Sequence, residues 1–464
     1  MPTTPVNHSP RLDQIDHKKT FPSVSNNFKT DVVIIGWWIA GIATAFYILK
    51  NTQHSVTIVE WNKIAHWATG HNWGHACMGI EKPFTKIVEK YWVELALQWY
   101  KDTVSGFQKL QEIVDNINKI DLVTVCPEYT GYSTIKQIMD KLQTDYIKEL
   151  HKDLYECILI NEAYRDDPRI DAKYYDIISF VPADTINKIM ESKEGQYIGI
   201  VWNKAGVMNS ALFCQEVIEY LLSLYHDRLQ IYEHTKVKSI HEKPNVIEIL
   251  IHNEDQQTYT IKSKQTILCT NGYKNIDIYT DTEQKYSLWE KVQWFVSYIS
   301  GYVEKSNQES ISLIYYQNPD ELKTATTSSE SENYFYLTRR EFETHKVKET
   351  LICIGWPESA IEWSDDYIPH QPQPERAHQQ MDSFLQKTFK KYPKQKLEYK
   401  YRRHGLMGYT NTYLRMIWPD RNIPRIMYNL GCNGQGIVLS VFGWRKISQF
   451  LLGHVDEDSI FDPE

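Results

Sequence analysis

Two glycines near the start of the sequence have the spacing of a nucleotide-binding turn. In VVIIGWWIAG, residues 32–41, Gly36 follows an apolar run and Gly41 lies five positions later. In a GxGxxG turn the first glycine permits a tight turn, and the third lets the following helix pack closely against the strand. Glu60 ends the next apolar run, where it could accept hydrogen bonds from ribose hydroxyls. These residues predict a dinucleotide bound at the amino terminus of a helix.

Tryptophan occupies the place of the second glycine of this turn. That glycine normally lets backbone amides approach a diphosphate, whereas the sequence has Trp38 there, preceded by Trp37. An indole would fill the volume that the diphosphate needs. We therefore expect Trp37 and Trp38 to crowd or block the diphosphate position.

The turn lies within a strand, helix, strand pattern. Apolar periodicity predicts a strand at 31–35, a helix at 39–50 and a second strand at 55–60. The eighteen uncharged residues from 32 to 49 are also just long enough for a membrane span. Two glycines interrupt this run, and an apolar strand with an acidic end follows within a few residues. A βαβ unit therefore explains the segment better than a membrane anchor.

Periodicity predicts several further elements. A helix begins near residue 84, and another covers 210–225. Three alternating runs between 229 and 273 predict an antiparallel meander that ends in a buried strand. Residues 305–335 are polar and are predicted to form exposed loops. Residues 425–453 repeat the opening pattern of strand, glycine-rich turn and helix.

Length, charge and cysteine content exclude several classes of protein. A chain of 464 residues favours two domains. Its net charge of −8, without any block of Lys or Arg, argues against a nucleic-acid partner. Its seven cysteines contain no CxxC pair, which argues against a metal site and a disulfide framework and favours the reducing cytoplasm. Residues 1–29 contain no apolar signal region and are predicted to be a flexible arm.

Five segments, in order, resemble one enzyme family. They are the βαβ unit, KIAHWATGHNWGHACMG, TILCTNGY, HGLMGYT and NLGCNGQGI. Together they look like the FAD-dependent oxidoreductases typified by D-amino-acid oxidase, glycine oxidase and sarcosine oxidase. The resemblance covers most of residues 30–453 and implies an α/β (α+β) fold, with a Rossmann-like FAD-binding domain and a mixed, antiparallel-sheet substrate domain. The implied FAD-binding domain is discontinuous, at 30–110, 205–285 and 400–464, and the implied substrate domain is at 111–204 and 286–399.

The resemblance also implies the cofactor contacts. The turn would hold the FAD diphosphate, the ATGHN loop would pass along the flavin, and the last glycine-rich turn would direct amides toward the flavin pyrimidine. The residues implied are Gly36, Trp38, Gly41, Glu60, Ala68, Thr69, Gly70, His71, Asn72, Val237, Thr270, Asn271, Gly431, Asn433, Gly434, Gly436 and Ile437. Because HGLMGYT contains no cysteine that could attach the flavin, noncovalent FAD is expected.

Family members take a hydride from the carbon next to an amine. The implied substrate is a small-molecule amine or amino acid, and the electrons pass to O2 or another acceptor. A substrate carboxylate would need an arginine clamp, for which Arg340 and Arg403 are preferred over Arg339 and Arg415. His75 and His404 would lie near the flavin, where they could tune it or orient substrate. Each of these side chains could equally be structural. The implied location is cytoplasmic, with peripheral membrane contact at most.

The tryptophans stand where this family usually has small residues. Glycine makes up only 4.3% of the chain, whereas glycine and tryptophan together make up 7.3%, close to the usual glycine share of about 7%. None of the fourteen is expected to be a core residue. We interpret them as glycines encoded by UGA and written as tryptophan. In seven cases the family pattern itself predicts a small residue, usually glycine: Trp37, Trp38, Trp67, Trp73, Trp356, Trp418 and Trp444.

A second reading takes the tryptophans as genuine. The protein would then be a cofactor-free binding or scaffold protein whose nucleotide groove is filled by Trp37 and Trp38. The two readings differ in whether the protein made in its own host carries flavin.

Overall fold

The structure is a computed structural model, and its helices follow the predicted order. It describes residues 7–79, 84–150, 157–272, 275–286, 292–305, 308–318, 334–344, 347–360, 367–368, 372–391, 398–453 and 460–461. The helices are α1 (Ile39–Asn51), α2 (Ala68–His71), α3 (Phe84–Asn116), α4 (Ile135–Leu150), α5 (Ala183–Ile189), α6 (Ser210–Tyr225), α7 (Glu375–Thr388) and α8 (Gly436–Leu452).

The strands of the described chain form two sheets. In chain order they are β1 (Phe28–Ile35), β2 (Val56–Val59), β3 (His75–Cys77), β4 (Val123–Tyr132), β5 (Cys157–Asn161), β6 (Ile178–Val181), β7 (Gly199–Met208), β8 (Leu229–Tyr232), β9 (Lys236–Lys243), β10 (Val246–His252), β11 (Thr258–Leu268), β12 (Asp277–Tyr279), β13 (Lys285–Tyr286), β14 (Val292–Glu304), β15 (Ile311–Tyr316), β16 (Tyr334–Thr344), β17 (Val347–Ala360), β18 (Tyr401–Thr410) and β19 (Ile426–Tyr428).

The first sheet contains the predicted βαβ unit. Its strand order is β13-β12-β9-β10-β11-β1-β2-β8, with β19 paired to β11. Strand β1 lies parallel to both β2 and β11. Its last four residues are buried, as expected for a parallel strand covered on both faces. The predicted meander is formed by β9, β10 and β11, which pair antiparallel.

Local signals explain where the helices of this half begin and end. Asn209 caps α6, because its Oδ1 accepts hydrogen bonds from the Ala211 and Leu212 amides at 3.1 and 3.2 Å. Helix α8 ends at Gly453, whose φ of +70° lies in the left-handed region. Helices α1, α3, α6 and α8 share one apolar core, which contains Trp37, Trp99 and Trp444. The expectation that none of the tryptophans is a core residue is therefore wrong for these three, and also for Trp294, which is 8% exposed in another apolar cluster.

The second sheet has the order β18-β14-β17-β16-β15-β4-β7-β5-β6, with β3 paired to β7. It is mixed, because β4 and β15 are parallel whereas β14, β16, β17 and β18 pair antiparallel. The predicted α/β (α+β) class is thereby confirmed. In the implied domain division, 400–464 belongs with the first sheet, whereas the structure pairs β18 with β14 in the second.

Two segments differ from the prediction. Residues 311–316, expected to be loop, form β15 between β4 and β16 because strand pairing compensates for their polar surroundings in sequence. The arm expected to be flexible packs against the body, where Ser9, Arg11 and Val24 are all at most 1% exposed. Arm contacts with distant strands, rather than local sequence, hold it there.

The uncharged run at 32–49 is divided between β1 and α1. Within the described chain, no helix has both the length and the apolar character that crossing a membrane requires.

Candidate functional site

The predicted turn needs glycine at its first and third places. Gly36 has a φ of +99°, and a Cβ there would lie 2.8 Å from the Cys269 carbonyl oxygen. A Cβ on Gly41 would collide with the Gly36 carbonyl oxygen. The turn therefore packs α1 tightly against the ends of β1 and β11, as the spacing predicts.

The two tryptophans of the turn point to different places. Trp38 precedes α1 and lines the main cavity. Trp37 is 1% exposed and packs on the ring of Phe21, with centroids 5.7 Å apart, in the core rather than in the cavity. The expectation that both indoles occupy the groove is therefore correct for Trp38 alone.

The main cavity, of about 310 Å³, lies between the two sheets. The start of α1, the α2 loop and the start of α8 line one side. Strands β4, β15 and β16 of the second sheet line the other. Ile39 at the start of α1 donates its amide hydrogen to Thr69 Oγ1 of α2 at 3.3 Å. The cavity thus joins the predicted nucleotide turn to the second sheet.

A buried cation lies at the first-sheet side of the cavity. Arg415 is 2% exposed and donates from Nε to Asn429 Oδ1 at 2.6 Å and from Nη2 to the Asn429 carbonyl at 3.1 Å. Its buried Nη1 has no hydrogen-bond partner among the described residues. Burial lowers the pKa of Arg415 to about 10, so the group stays charged near neutrality.

The side of the cavity with Arg415 fits a diphosphate group. The amino termini of α1 and α8 face the same cavity, which is lined there by Ile39, Gly434 and Gly436. Helix amino termini carry partial positive charge and free amides, and Arg415 adds a full charge. The unpaired Nη1 atom and the positive ends of these helices match an anionic ligand in this place. Trp38 is the feature that opposes it, because its indole takes up part of the same space.

Several predicted cofactor residues line this cavity and others do not. Those at its wall are Trp38, Ala68, Thr69, Asn72, Asn271, Gly434, Gly436 and Ile437. Cys432, which sequence reasoning did not assign, also lines it and donates its amide hydrogen to Asn271 Oδ1 at 2.9 Å. Asn433 lies beside the wall and accepts from the Thr410 amide at 2.8 Å, and Gly431 adopts a φ of +81°.

The residues predicted to bind adenosine are buried away from the cavity wall. Glu60 is 3% exposed and accepts hydrogen bonds from the amides of Trp37 and Asn62, at 2.8 and 3.2 Å. Burial raises the pKa of Glu60 to about 7. Val237 packs in an apolar cluster of the first sheet, and Thr270 is 7% exposed.

The arm covers two more predicted residues. Ser9 Oγ donates to the Gly70 carbonyl, and the Asn7 carbonyl lies 3.2 Å from His71 Nε2. Burial lowers the pKa of His71 to about 4, so its imidazole is neutral near pH 7.

The second sheet contributes a row of aromatic rings, called here the tyrosine floor: Tyr132, Tyr316, Tyr334 and Tyr336. Consecutive ring centroids lie 5.2, 5.5 and 6.0 Å apart. All four side chains line the cavity. They share a wall because residues two apart on a strand point to the same face, and β4, β15 and β16 are neighbours.

A buried acid and histidine stand beside the tyrosine floor. His75 Nε2 forms an ion pair with Glu128 Oε2 and lies 2.9 Å from Ser312 Oγ. The side chains of His75 and Glu128 are 11% and 7% exposed, and both line the cavity. This pair can hold a proton at the wall of the cavity.

The other three predicted catalytic residues lie elsewhere, and of the four only His75 lines the cavity. Arg340 and Arg403 join Arg11 of the arm around the thiol of Cys353, and we call these three the arginine cluster. Arg403 donates to Ser9 Oγ at 3.1 Å, and Arg340 donates to Gln14 Oε1 at 2.8 Å. Within the described chain, no carboxylate accepts a hydrogen bond from the cluster.

His404 is 4% exposed, and its ring Nδ1 lies 2.9 Å from the hydroxyl of Tyr367. Its amide donates to Asn7 Oδ1 of the arm at 2.9 Å. The arm thus contacts His404, Arg340 and Arg403, none of which lines the cavity.

Sequence reasoning missed Glu128 and the tyrosine floor as cavity features, and it ranked Arg415, which lines the cavity, below Arg340 and Arg403, which do not. The alternation of Glu128, Thr130 and Tyr132 in PEYTGY could have indicated one shared strand face. Nothing local indicates that this face meets Tyr316 and Tyr334, which come from strands far away in the sequence.

A protein-family profile described as FAD dependent oxidoreductase matches residues 31–444. No curated protein sequence matches the chain. Three solved structures share the fold. Glycine oxidase from Geobacillus kaustophilus has a TM-score of 0.61 at 11% identity, over 93% of this chain and 96% of that chain. L-proline dehydrogenase from P. horikoshii has a TM-score of 0.62 at 11% identity, over 95% of this chain and 98% of that chain. L-alpha-glycerophosphate oxidase from Mycoplasma pneumoniae, with FAD bound, has a TM-score of 0.58 at 12% identity, over 92% of this chain and 95% of that chain.

Proposed function

Because the chain belongs to the FAD dependent oxidoreductase family, we propose that this FAD-dependent enzyme oxidises a small-molecule amine or amino acid and passes the electrons to O2 or another acceptor. The observation that supports the site is the convergence of two helix amino termini and the unpaired Arg415 Nη1 on one cavity. FAD, when bound, supplies the hydride acceptor.

The chain's own residues would divide the work between the two sides of the cavity. Gly36 and Gly41 shape the turn, and Arg415 and the α8 amides would hold the anionic part of the cofactor without a covalent bond. His75, paired with Glu128, would hold or accept a proton from the substrate ammonium. The implied two-domain division, the absence of nucleic acid and membrane partners, and the cytoplasmic location are part of this proposal.

We also propose that the fourteen tryptophans are UGA-encoded glycines. Trp92 supports this most directly. It interrupts α3 with a φ of 67° and a ψ of 162°, a backbone region that is essentially restricted to glycine, and its side chain is 76% exposed. An exposed indole gains nothing there that would offset the strain.

Two further indoles, the buried Trp444 and the partly buried Trp73, support the same proposal, since each lacks space. The rings of Trp444 and Tyr47 have centroids 2.8 Å apart, and those of Trp73 and Tyr336 have centroids 3.1 Å apart. Aromatic pairs pack with centroids about 4.5–7 Å apart. Glycine at 444 would let α8 approach α1, and glycine at 73 would clear the space over Gly355 that the Trp73 ring now fills. Trp289 and Trp363 lie outside the described residues.

The test begins with the codons at the fourteen positions and the peptide masses of the native protein across residues 31–50. UGA codons and glycine masses at 37 and 38 would support the recoding, whereas UGG codons and tryptophan masses would overturn it.

Flavin content tests the enzyme proposal itself. The full-length protein from its own host should be yellow, with flavin absorbance and close to one FAD per chain. Protein made with tryptophan at all fourteen positions serves as the matched control, and it should bind FAD much more weakly because Trp38 lines the cavity. Native protein without flavin would favour the cofactor-free binding protein instead.

A further inference from the structure

The tyrosine floor has the composition of a cation-binding surface. Strand register brings it together, because Tyr316 pairs with Tyr334, Ile314 with Tyr336, and Ser312 with Glu128. Glu128 lies on β4, the strand that carries Tyr132, and it lines the cavity. One carboxylate and four aromatic rings thus line the same cavity.

The electrostatics of this wall favour a positive ligand. The face of each phenol ring carries negative potential, which attracts ammonium groups within about 6 Å of the ring centroid. Ring centroids 5.2 to 6.0 Å apart bring neighbouring rings within reach of one ammonium group. Glu128, 5% exposed and ion-paired with His75, adds a carboxylate in a site of low dielectric.

The Lys and Arg side chains that line the cavity are each held by a neighbouring residue. Of the described residues that line it, Lys141 and Arg415 are the only Lys or Arg. Lys141 pairs with Asp145 at 3.0 Å, and Arg415 is held by Asn429 on the first-sheet side. The arginine cluster lies under the arm and does not line the cavity. A ligand carboxylate therefore finds no unpaired cation at the tyrosine floor.

We propose that the tyrosine floor and Glu128 form the subsite for an ammonium group of the substrate. The substrate class is then an amine with an apolar body, in preference to an α-amino acid anchored through its carboxylate. This inference rests on the proposed function for its link to catalysis.

The test is isothermal titration calorimetry, without O2, on the full-length FAD-loaded protein from its own host. The probes are choline, its uncharged isostere 3,3-dimethylbutan-1-ol, and benzoate. We expect choline to bind roughly 2- to 30-fold more tightly than the isostere, the range that a cation–π contact supplies. Equal affinity for choline and the isostere would overturn the proposal. Tighter binding of benzoate than of choline would also overturn it.

Matched variants locate the binding. Tyr316→Leu removes a ring and should weaken choline binding about 2- to 10-fold while the isostere is unaffected. Tyr316→Phe keeps the ring and should bind choline within about twofold of the parent, which also checks that position 316 tolerates substitution. Glu128→Gln should weaken choline in the same direction. Choline binding that Tyr316→Leu leaves unchanged would contradict the assignment.

Flavin absorbance, recorded first, separates this inference from the proposed function. If the protein carries flavin but binds benzoate more tightly than choline, the proposed function stands and the ammonium subsite is refuted. If the protein carries no flavin, the proposed function is refuted, whereas its affinity for choline still tests the ammonium subsite at the tyrosine floor.

Discussion

One face of the second sheet carries two chemically opposite regions. Tyr334 and Tyr336 of the tyrosine floor and Arg340 of the arginine cluster alternate along the same strand, β16, and so point to one side. The floor lines the cavity and includes Glu128. The cluster lies under the arm, where Arg11, Arg340 and Arg403 are 1%, 9% and 1% exposed. What covers each region, rather than its strand, decides which one can meet a ligand.

Trp73 stands between these two regions. Its side chain lines the cavity and also packs against the apolar cluster that contains Cys353. The boundary between floor and cluster therefore depends on the residue at 73, which is one of the proposed glycines.

The largest expected effect concerns the thiolate form of Cys353 within the arginine cluster. Burial alone would raise the pKa of Cys353, but Arg403, Arg11 and Arg340 together lower it below its usual range. A lowered folded pKa contributes stability that is present above the unfolded pKa and is lost as pH falls through the folded value. Cys353→Ala should therefore destabilise the protein by about 3–5 kcal/mol near pH 9 and by less near pH 7. Urea unfolding at both pH values measures this.

Cys214→Ala is the matched control, because Cys214 is fully buried in an apolar core where burial raises its thiol pKa. Its cost should not grow between pH 7 and 9. An equal pH response of the two variants would mean that the cluster does not stabilise a thiolate.

The next effect concerns the acid beside the tyrosine floor. Glu128→Leu removes the partner of His75 at a buried site, and should lower the free energy of unfolding by about 1.5–3 kcal/mol because a charge-assisted hydrogen bond is lost. Glu341→Leu is the control, since its ion pair with Lys348 is exposed and should matter little. Comparable losses in thermal unfolding would show that the His75 pair contributes no more than a surface pair.

The substitution Trp73→Gly, made in protein with tryptophan at the other positions, breaks the boundary between the regions. Relief of the contact with Tyr336 should stabilise the fold by about 1–3 kcal/mol, the usual cost of overpacking. Benzoate binding should rise as the space over Gly355 opens toward the cluster. Differential scanning calorimetry and benzoate titration report the two results, and a loss of stability would favour a genuine tryptophan at 73.

The smallest effect concerns the arm that covers the cluster. His8 and Asp13 form a partly exposed ion pair at 3.0 Å, with side chains 31% and 23% exposed. Burial would raise the pKa of Asp13, but hydrogen bonds from His8 and Tyr401 lower it overall. His8→Gln should cost only about 0.2–1 kcal/mol, as part-exposed pairs do. A much larger loss in urea unfolding would indicate that this pair anchors the whole arm.

Local patterns predicted the nucleotide-binding half well. The helix expected at 210–225 is α6 at those bounds, and the turn glycines occupy the conformations that their spacing requires. The site on the second sheet was predicted less well. Arg340 and Arg403 have the right chemistry for a carboxylate clamp, but contacts with Ser9 and Gln14 of the arm cover them.

The sequence by itself determined features that depend on neighbouring residues. Backbone sterics require glycine at 36, and apolar periodicity specifies β1 and α1, because both act within a few residues. Only the tertiary structure decided which residues share the cavity. Strand pairing brings Glu128 to the same cavity as Tyr316 and Tyr334, and the arm buries the arginines, across sequence separations of up to several hundred residues. Such pairings depend on the collective packing of the whole chain, which no short stretch of sequence encodes.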